Sequence, residues 1–556
     1  MDKEILQRYA TWLEKAEDGA LKEELERIRA DEKAIENKFY KELQFGTGGL
    51  RGEIGAGTNC LNIYTIGKAT QGVADYVKSI GGKAVAISYD SRIDSDVFAR
   101  RAASVLAGNG IRVYLVKELM PTPFLSFATR WFQADAGIMI TASHNPAKYN
   151  GYKVYGSDGC QITDEAAAKI TRYIEPVDCF AVKAGDFDGY VTEGKIEYIK
   201  EEVEEAYLEA VQKQSVWKAE GLKITYTPLN GTGYRIVPKM LSRMGLKEVN
   251  IVKEQGKPDG HFPTCAYPNP EKPAAMALGL EYAREAGSDI LLATDPDADR
   301  VGIAVRTSDG YKLMSGNEVG ALLEDFLLAR RQENGTLPAD AVVIKTIVTT
   351  GLGEKIAAKY GARVINVLTG FKYIGEQIGK LEKAGKAESF ILGFEESYGY
   401  LAGSYVRDKD AVVAVMLIAE MASYYKERGK TLFERMEELY AEYGTYAHKL
   451  LTFEYAGASG AKKMQELLKD LRQERPKEIA GLKVEGYVDY LSQRQRELPK
   501  ANVMQYDLEG GAQAIVRPSG TEPQIKVYLT AAKTPAENAR ELAELENAMK
   551  KLLSAE

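Results

Sequence analysis

The sequence contains little of what marks a secreted, membrane-spanning or disulfide-stabilised protein. It has only four cysteines in 556 residues, and they show neither CxxC spacing nor the density of a disulfide scaffold. Its first residues, Met-Asp-Lys-Glu-Ile-Leu, lack the apolar segment of a signal peptide. The longest strongly apolar run, 411–419, is shorter than the roughly 20 residues that span a bilayer, so it predicts a buried helix. These absences predict a cytoplasmic protein with reduced thiols.

Low-complexity tracts and long Pro/Gly linkers are also absent. The 45% hydrophobic and 28% charged content is typical of a soluble globular protein, and the length favours several domains. The net charge of −7 argues against a general nucleic-acid or membrane-surface role. It leaves room for a local basic cleft that would bind an anionic substrate.

Two short segments carry most of the chemical information. Residues 141–146 read Thr-Ala-Ser-His-Asn-Pro and place the hydroxyl of Ser143 beside the imidazole of His144. Residues 295–300 read Asp-Pro-Asp-Ala-Asp-Arg, and their three alternating carboxylates suit Mg²⁺, which prefers oxygen ligands. A serine is a weak nucleophile unless a base or a charge activates it. A serine that carries phosphate and faces Mg²⁺ would form a phosphoryl-transfer centre.

Each segment also has a plain structural interpretation. Ser-His-Asn-Pro is compatible with an ordinary turn, and the aspartates with a solvated charge run or a calcium loop. The calcium loop is disfavoured because it needs Gly at its sixth position and Glu at its twelfth, where this chain has Arg300 and Arg306.

Two further segments offer groups that bind phosphate and sugar. Residues 517–523 read Arg-Pro-Ser-Gly-Thr-Glu-Pro, where Arg517 can donate two parallel hydrogen bonds to phosphate oxygens. The two hydroxyls of this segment are donors, and its glycine lets backbone N–H groups approach an anion. Residues 393–399 read Gly-Phe-Glu-Glu-Ser-Tyr-Gly, which suits sugar hydroxyls that donate and accept. The structural alternative is a hairpin turn for 517–523 and a solvated loop for 393–399.

The hydrophobic pattern predicts helices over 2–40 and then an alternation of short strands with helices. This alternation favours an α/β fold with parallel or mixed sheets. The serine, metal and sugar segments each follow a predicted strand directly, and ligands gather beyond the carboxyl ends of such strands. The predicted strands of the three successive α/β domains are 84–88, 112–116, 137–140; 223–227, 249–252, 289–293; and 342–347, 363–367, 390–392.

The C-terminal part differs from the rest. Strands over 514–517 and 525–529, followed by a charged helix from Pro535 onward, predict a small α+β domain. The charged stretch 460–500 is interpreted as an enlarged helical part of this domain.

Together with Phe-Gly-Thr-Gly-Gly-Leu-Arg-Gly at 45–52, the four segments resemble, in order, those of the α-D-phosphohexomutase (phosphoglucomutase/phosphomannomutase) family. The resemblance spans 45–523 and is nearest to the long-chain phosphoglucomutase/phosphopentomutase branch. It implies an α/β protein with three similar α/β domains with mixed sheets and a smaller C-terminal α+β domain around a central cleft. The domains expected are 1–206 with the serine loop, 207–315 with the metal loop, 316–446 with the sugar loop and 447–556 with the phosphate loop.

Two departures from the family pattern bear on the choice of sugar. The family often has Gly before the first Glu of the sugar loop, where this chain has Phe394. The family often has a basic residue about one position after the phosphate-loop proline, where this chain has Gln524, Ile525 and then Lys526. The Glu-Glu-Ser form resembles the glucose-handling branch.

The resemblance implies a phosphoserine mutase that interconverts glucose 1-phosphate and glucose 6-phosphate through glucose 1,6-bisphosphate, with Mg²⁺ as cofactor. General acid–base candidates are His144, Lys409 and Lys153, each of which could instead orient or attract charge. The expected catalytic residues are Ser143, His144, Lys409, Arg300 and Lys153. The expected metal ligands are Ser143, Asp295, Asp297 and Asp299. The expected substrate-binding residues are Thr47, Arg51, Arg92, Thr369, Gly370, Lys372, Glu395, Ser397, Arg517, Ser519, Gly520 and Thr521.

Several functional alternatives stay open at the level of sequence. Ribose or mannose phosphate could replace glucose phosphate as the preferred substrate. A metal-dependent phosphatase with a serine nucleophile is less favoured, because it usually needs a second metal, and His261 and His448 lie outside any ligand-like cluster. A non-catalytic sugar-phosphate binder would need neither the serine nor the three aspartates. The expected partners are small sugar phosphates, with no nucleic acid and no membrane, and the oligomeric state is open.

Overall fold

The computed structural model describes residues 2–46, 48–455, 457–492, 498–519 and 524–553. Four sheets with their covering helices follow one another along the chain. Within the described ranges, no helix has the length and apolarity needed to cross a bilayer. All four cysteines are described, and all are free thiols.

The chain begins with three short helices that pack on the first α/β domain. Each starts at an aspartate whose side chain accepts a backbone N–H of the first turn. Trp12 and Phe39 meet edge to face, and Trp12 also contacts Tyr64 of the domain behind them. The three helices are α1 (Lys3–Lys15), α2 (Gly19–Arg27) and α3 (Glu32–Phe39).

The first domain contains a six-stranded mixed sheet between helices. Its strands are β1 (Gly49–Glu53), β2 (Ala84–Tyr89), β3 (Arg112–Leu115), β4 (Ala136–Ile140), β5 (Tyr149–Gly156) and β6 (Ile196–Tyr198). Its helices are α4 (Ile63–Ser79), α5 (Ser95–Gly108), α6 (Thr122–Trp131), α7 (Asp164–Ile174), α8 (Phe187–Thr192) and α9 (Glu201–Gln212). The strand order is β1-β5-β4-β2-β3-β6, with β4, β2, β3 and β6 parallel and β5 antiparallel to both neighbours. The expected domain limit at residue 206 falls inside α9.

The second domain repeats this arrangement with five strands. The strands are β7 (Ile224–Thr227), β8 (Val249–Ile251), β9 (Ile290–Thr294), β10 (Val301–Thr307) and β11 (Gly310–Met314), and the helices are α10 (Gly233–Arg243) and α11 (Pro273–Ala286). Strands β8, β7 and β9 are parallel, whereas β10 returns antiparallel to β9 and pairs with β11.

The third domain has four strands and the most deeply buried helix. Its strands are β12 (Val342–Thr346), β13 (Arg363–Val367), β14 (Phe390–Glu395) and β15 (Gly399–Leu401). Its helices are α12 (Gly316–Glu333), α13 (Leu352–Lys359), α14 (Phe371–Lys383), α15 (Ala411–Lys426) and α16 (Leu432–Tyr443), with a 3₁₀ turn at Ala387–Ser389. Residues Ala411 to Tyr425 of α15 are all buried, which confirms the prediction made from the apolar run.

The C-terminal domain is built on an antiparallel sheet, so it differs from the other three. Its strands are β16 (Ala447–Glu454), β17 (Glu478–Ile479), β18 (Leu482–Asp489), β19 (Met504–Leu508), β20 (Gln513–Pro518) and β21 (Gln524–Ala531). Its helices are α17 (Gly457–Glu474) and α18 (Pro535–Leu553), with a 3₁₀ turn at Glu509–Gly511. The helical interpretation of 460–500 is wrong for the described residues after 474, because 482–489 form the long strand β18, whose first four residues alternate between half-buried and exposed.

The first three sheets share one strand order around their functional loops. They contain β5-β4-β2-β3, β10-β9-β7-β8 and β15-β14-β12-β13, and in each the first pair is antiparallel. The serine, metal and sugar loops are the connections of these three antiparallel pairs. The prediction that they lie at the carboxyl ends of strands is therefore confirmed. The returning strands β5, β10 and β15 were not predicted from the sequence.

Candidate active site

The three hairpin loops of the α/β domains meet at one point. The hydroxyl of Ser143 donates to Asp295 Oδ2 at 2.6 Å, which joins the first loop to the second. The backbone N–H of Val301 donates to Tyr398 O at 3.1 Å, which joins the second loop to the third. Ser143, the aspartates and the sugar loop therefore belong to one cluster, although Ser143 and Asp295 are 152 residues apart in the sequence.

The serine loop is held in a strained and buried conformation. Ser143 has φ 51° and is 4% exposed. Its backbone N–H donates to Thr141 Oγ1 at 2.7 Å, and that hydroxyl donates to Asp90 Oδ2 at 2.5 Å. A non-glycine residue in the left-handed region persists only where its surroundings enforce it, and such positions concentrate at functional sites.

Arg92 supports the serine loop from beneath. Its side chain is fully buried, and its guanidinium donates to the carbonyls of Ser143 (3.1 Å), Pro146 (3.0 Å) and Tyr149 (2.9 Å), and also to that of Asn145. These contacts occupy the guanidinium with carbonyls of the serine loop, and the sequence-based expectation that Arg92 binds substrate stays a prediction.

His144 is beside the serine and is the more exposed of the two. Its Nδ1 lies 3.1 Å from Ser143 Oγ and 3.9 Å from Asp295 Oδ2. Burial, followed by the positive charges of Arg300 and Arg51, holds the pKa of His144 well below its ordinary value. The ring is therefore neutral near pH 7 and can exchange a proton with a neighbouring hydroxyl.

Each carboxylate of the metal loop has one oxygen that is anchored by the protein. Asp295 Oδ1 accepts the backbone N–H groups of Asp299 (3.2 Å) and Arg300 (3.1 Å). Asp297 Oδ2 accepts Thr122 Oγ1 at 2.9 Å and the Lys153 ammonium at 3.0 Å.

Of the opposite oxygens, Asp295 Oδ2 accepts the Ser143 hydroxyl, whereas those of Asp297 and Asp299 are available to a ligand. In the described part of the chain, Asp297 Oδ1 and Asp299 Oδ1 are buried without a hydrogen-bond partner. One oxygen from each of Asp295, Asp297 and Asp299 lies within 4.8 Å of the others. Buried carboxylates that lack partners are costly, and burial together with the neighbouring carboxylates raises the pKa of Asp295 well above its ordinary value. This donor set fits a hard divalent cation.

Two lysines balance the negative charge of the aspartates. Lys153, on β5, donates to Asp297, and Lys409 Nζ lies 3.1 Å from Asp299 Oδ2 and 3.1 Å from Asp408 Oδ1. Burial alone would lower the pKa of Lys409, but the surrounding carboxylates raise it above its ordinary value. A Cβ on Gly399 would lie 2.1 Å from the Lys409 side chain, so glycine is required there.

Arg300 connects the metal loop to the sugar loop. Its guanidinium donates to Glu271 Oε1 at 2.7 Å and to the carbonyl of Ser397 at 3.2 Å. Its Nε is buried, makes no hydrogen bond among the described residues and lies 3.7 Å from Asp299 Oδ1. These contacts hold the plane of the guanidinium between the metal loop and the sugar loop.

The sugar loop organises the loop that precedes α14. Glu395 Oε1 accepts the N–H of Gly370 at 3.0 Å, and burial raises the pKa of Glu395. The Thr369 hydroxyl is buried and has no partner in the part that the structure describes. Glu396 accepts two threonine hydroxyls at 3.2 Å, and burial followed by Glu395 raises its pKa to about 7.

Phe394, which stands where the family often has Gly, belongs to the hydrophobic core. Phe394 is fully buried on β14, and a Cβ on Gly320 of α12 would lie 2.2 Å from its ring. The glycine in the helix makes room for the phenylalanine in the strand. Phe394 therefore faces away from the sugar loop.

The remaining predicted substrate residues that the structure describes lie on separate elements. Lys372 pairs with Asp164 at the start of α7, and Arg51 lies on β1, where its charge acts on His144. Ser519 N donates to Gln524 O at 2.8 Å, next to the paired strands β20 and β21. Thr47, Gly520 and Thr521 lie outside the described residues.

Arg517 lies near the sugar loop although it belongs to the fourth sheet. Burial and then the charge of Glu396 raise the pKa of Tyr528 to about 12, although the charge of Arg517 and its hydrogen bond to the Tyr528 hydroxyl lower that pKa. Both charges are therefore close to Tyr528, which faces both domains.

Sequence reasoning missed several residues that hold this site. Thr141 lay within the serine motif, and its spacing of two from Ser143 was the available signal. Glu396 lay within the sugar segment, and Asp408 directly precedes the predicted Lys409. Asp90, Thr122 and Glu271 had no signal, because they reach the site only through folding.

Comparison with known proteins identifies the same organisation. Family models described as phosphoglucomutase/phosphomannomutase alpha/beta/alpha domains I, II and III match residues 42–178, 205–310 and 315–443. Each match contains one of the three hairpin loops.

Relatives match over nearly the whole chain. A phosphoglucomutase from Staphylococcus saprophyticus is 36% identical over 535 residues, covering 94% of this chain and 96% of that protein. A phosphoglucomutase from Staphylococcus aureus is 38% identical over 549 residues, covering 95% of each. The crystal structure of parafusin, a phosphoglucomutase from Paramecium, has a TM-score of 0.68 at 19% identity and covers 92% of this chain and 95% of that one, which shows the shared fold. The chain belongs to the phosphoglucomutase/phosphomannomutase family.

Proposed function

We propose that this protein interconverts glucose 1-phosphate and glucose 6-phosphate through a phosphorylated serine and a glucose 1,6-bisphosphate intermediate. The observation that carries the proposal is the placement of the Ser143 hydroxyl 2.6 Å from a carboxylate of the aspartate cluster. The staphylococcal relatives named phosphoglucomutase support the choice of glucose phosphate.

In the first half-reaction, the bond between phosphorus and Ser143 Oγ breaks and a new bond forms to a sugar hydroxyl. The proton of that hydroxyl passes to a base, for which His144 is proposed because its Nδ1 lies 3.1 Å from Ser143 Oγ. In the second half-reaction, the other phosphoryl group of the bisphosphate moves to Ser143 Oγ, and the sugar oxygen that it leaves takes up a proton.

The metal site is proposed to hold Mg²⁺ through Asp295, Asp297, Asp299 and the serine phosphate. When bound, Mg²⁺ would neutralise negative charge on the transferred phosphoryl group. The Lys153 and Lys409 ammonium groups, which already face the aspartates, add fixed positive charge around the same position.

Substrate binding is proposed to use groups from all four domains. Arg300 contributes a guanidinium donor, and Glu395 with Ser397 contacts sugar hydroxyls. The expected phosphate contacts are Thr47, Arg51, Thr369, Gly370, Lys372, Arg517, Ser519, Gly520 and Thr521. Arg92 is proposed to position the serine loop instead of touching the substrate.

The cleft is proposed to accept small sugar phosphates in a cytoplasmic setting, where the four free cysteines stay reduced. The test is an isomerisation assay run in parallel on glucose, mannose, glucosamine and ribose phosphates, with the matching bisphosphates as activators. We expect the highest kcat/KM with glucose 1-phosphate and an intact mass that shows one phosphate on Ser143. Release of free phosphate without an isomer product would contradict the mutase and favour a phosphatase.

A further inference from the structure

The first residue of α6 contacts the metal loop with both its backbone and its side chain. The N–H of Thr122 donates to the Asp297 carbonyl at 2.9 Å, and its hydroxyl donates to Asp297 Oδ2 at 2.9 Å. Thr122 is fully buried. The two contacts cross from the first domain to the second, where Asp297 lies.

Helix α6 is held on several sides, so the position of the Thr122 hydroxyl is well defined. Phe124 and Phe127 pack on Tyr207 with ring centroids 5.7 Å and 5.6 Å apart. Ser126 Oγ accepts the backbone N–H of Arg407, which belongs to the third domain, at 2.9 Å. A hydrogen bond from such a fixed element orients its acceptor more strictly than one from a loop.

The orientation of the Asp297 carboxylate depends on this contact. Its Oδ2 accepts from Thr122 and from Lys153, and its Oδ1 is the oxygen without a partner in the described part of the chain. Without the hydroxyl, the ammonium of Lys153 alone would hold the carboxylate. A long lysine side chain permits more rotation than a threonine on a buried helix.

We propose that Thr122 is a positioning residue that fixes the Asp297 carboxylate so that Oδ1 faces the neighbouring aspartate oxygens. The contact also keeps the metal loop of the second domain in register with the serine loop of the first. This inference rests on the proposed metal site, and partners behind metal ligands typically change metal affinity by roughly 10- to 100-fold when they are lost.

Manganese binding to the full-length protein tests the inference without relying on turnover. We expect Thr122→Val, which keeps the shape and removes the hydroxyl, to weaken Mn²⁺ binding by about 10- to 100-fold, as measured by electron paramagnetic resonance of free Mn²⁺. Thr122→Ser, which keeps the hydroxyl, should bind within a few-fold of the parent. A matched control is Thr129→Val, because Thr129 is buried on the same helix but donates to Leu125 O at 2.8 Å.

The outcomes separate the positioning role from the metal site itself. Parent-like Mn²⁺ affinity in Thr122→Val would overturn the role of Thr122 and leave the metal site standing. A parent protein that binds no Mn²⁺ would overturn both. Equal weakening in Thr129→Val would assign the effect to the helix as a whole. Should Thr122→Val not fold, as judged by thermal melting, Thr122→Ala against Thr122→Ser provides the same comparison.

Discussion

The region around the serine and the aspartates differs from the region around the phosphate loop in how it is supported. Helix α6 and the strands next to the metal and sugar loops share one continuous hydrophobic core from Val116 to Leu439, and the strands that carry the serine loop pack in a second core of the first domain. The C-terminal domain has a core of its own and meets the third domain through a small cluster that includes Val348, Leu368 and Val503. Groups on one shared core keep their relative positions, whereas two cores joined by a small contact can shift.

The polar contacts follow the same division. Ser143, Asp295 and Asp297 are bonded to groups from different domains, so the reacting centre is assembled before a ligand arrives. On the sugar side, the Thr369 hydroxyl and Arg300 Nε make no hydrogen bond among the described residues. Under the proposed function, this difference corresponds to preorganised transfer chemistry and to sugar and phosphate recognition that the ligand completes.

The largest effect is expected at the nucleophile. Ser143→Ala should abolish turnover and phosphorylation while the melting temperature stays close to that of the parent, because a small hydroxyl is lost from a loop. Steady-state isomerisation and intact mass measure both. Mutase activity comparable to the parent would show that the phosphoserine mechanism is wrong.

Loss of charge from the metal loop should be nearly as severe. Asp297→Asn keeps the shape but removes a charged ligand, so we expect a larger loss than the roughly 10- to 100-fold seen for outer contacts. Treatment of the parent with EDTA should inactivate it, and Mg²⁺ should restore it. Full activity of a metal-stripped sample would contradict the assignment.

Arg517→Ala tests the phosphate loop, which belongs to the C-terminal domain with its separate core. A lost charged hydrogen bond costs about 1.5–3 kcal/mol, which corresponds to roughly 10- to 100-fold in kcat/KM. Both monophosphate isomers should be affected, because the bisphosphate presents either phosphate to the same loop. Unchanged affinity and rate for both isomers would show that the loop is only a turn.

Glu395→Gln tests the choice of sugar. We expect kcat/KM for glucose 1-phosphate to fall by about tenfold or more, because the amide of glutamine replaces a carboxylate oxygen that would accept a sugar hydroxyl, and a site built for such a hydrogen bond is sensitive to its loss. Mannose and ribose phosphates provide the comparison. A parent that prefers either of them would overturn the glucose assignment and leave the mutase chemistry intact.

The smallest of these effects is expected at Glu271, which holds Arg300 from outside the reacting cluster. Glu271→Gln should lower kcat by about tenfold or less, in line with one weakened charge-assisted hydrogen bond. Glu204→Gln is a matched control, because Glu204 pairs with Arg235 at 2.8 Å away from the site. Equal kcat values in both variants would remove Glu271 from the positioning set.

The sequence by itself determined the family and the α/β class, and it predicted the loops that the structure brings together. Alternating aspartates, a serine beside a histidine and buried strands before each loop are local patterns, and local patterns can be read from neighbouring residues. All eleven predicted strands are present with small differences in their limits. The stretch 460–500 was misjudged for its described residues after 474, since its charge concealed the alternation that forms β18.

Only the tertiary structure decided which partners each reacting group has. Arg92 carries the same charge as Arg300, but one is buried under loop carbonyls and the other faces the cleft. Thr122 and Glu271 reach the site from distant segments, and the shared hairpin position of the three loops depends on short returning strands such as β15. These features arise from long-range packing and burial, which the order of residues along the chain does not display.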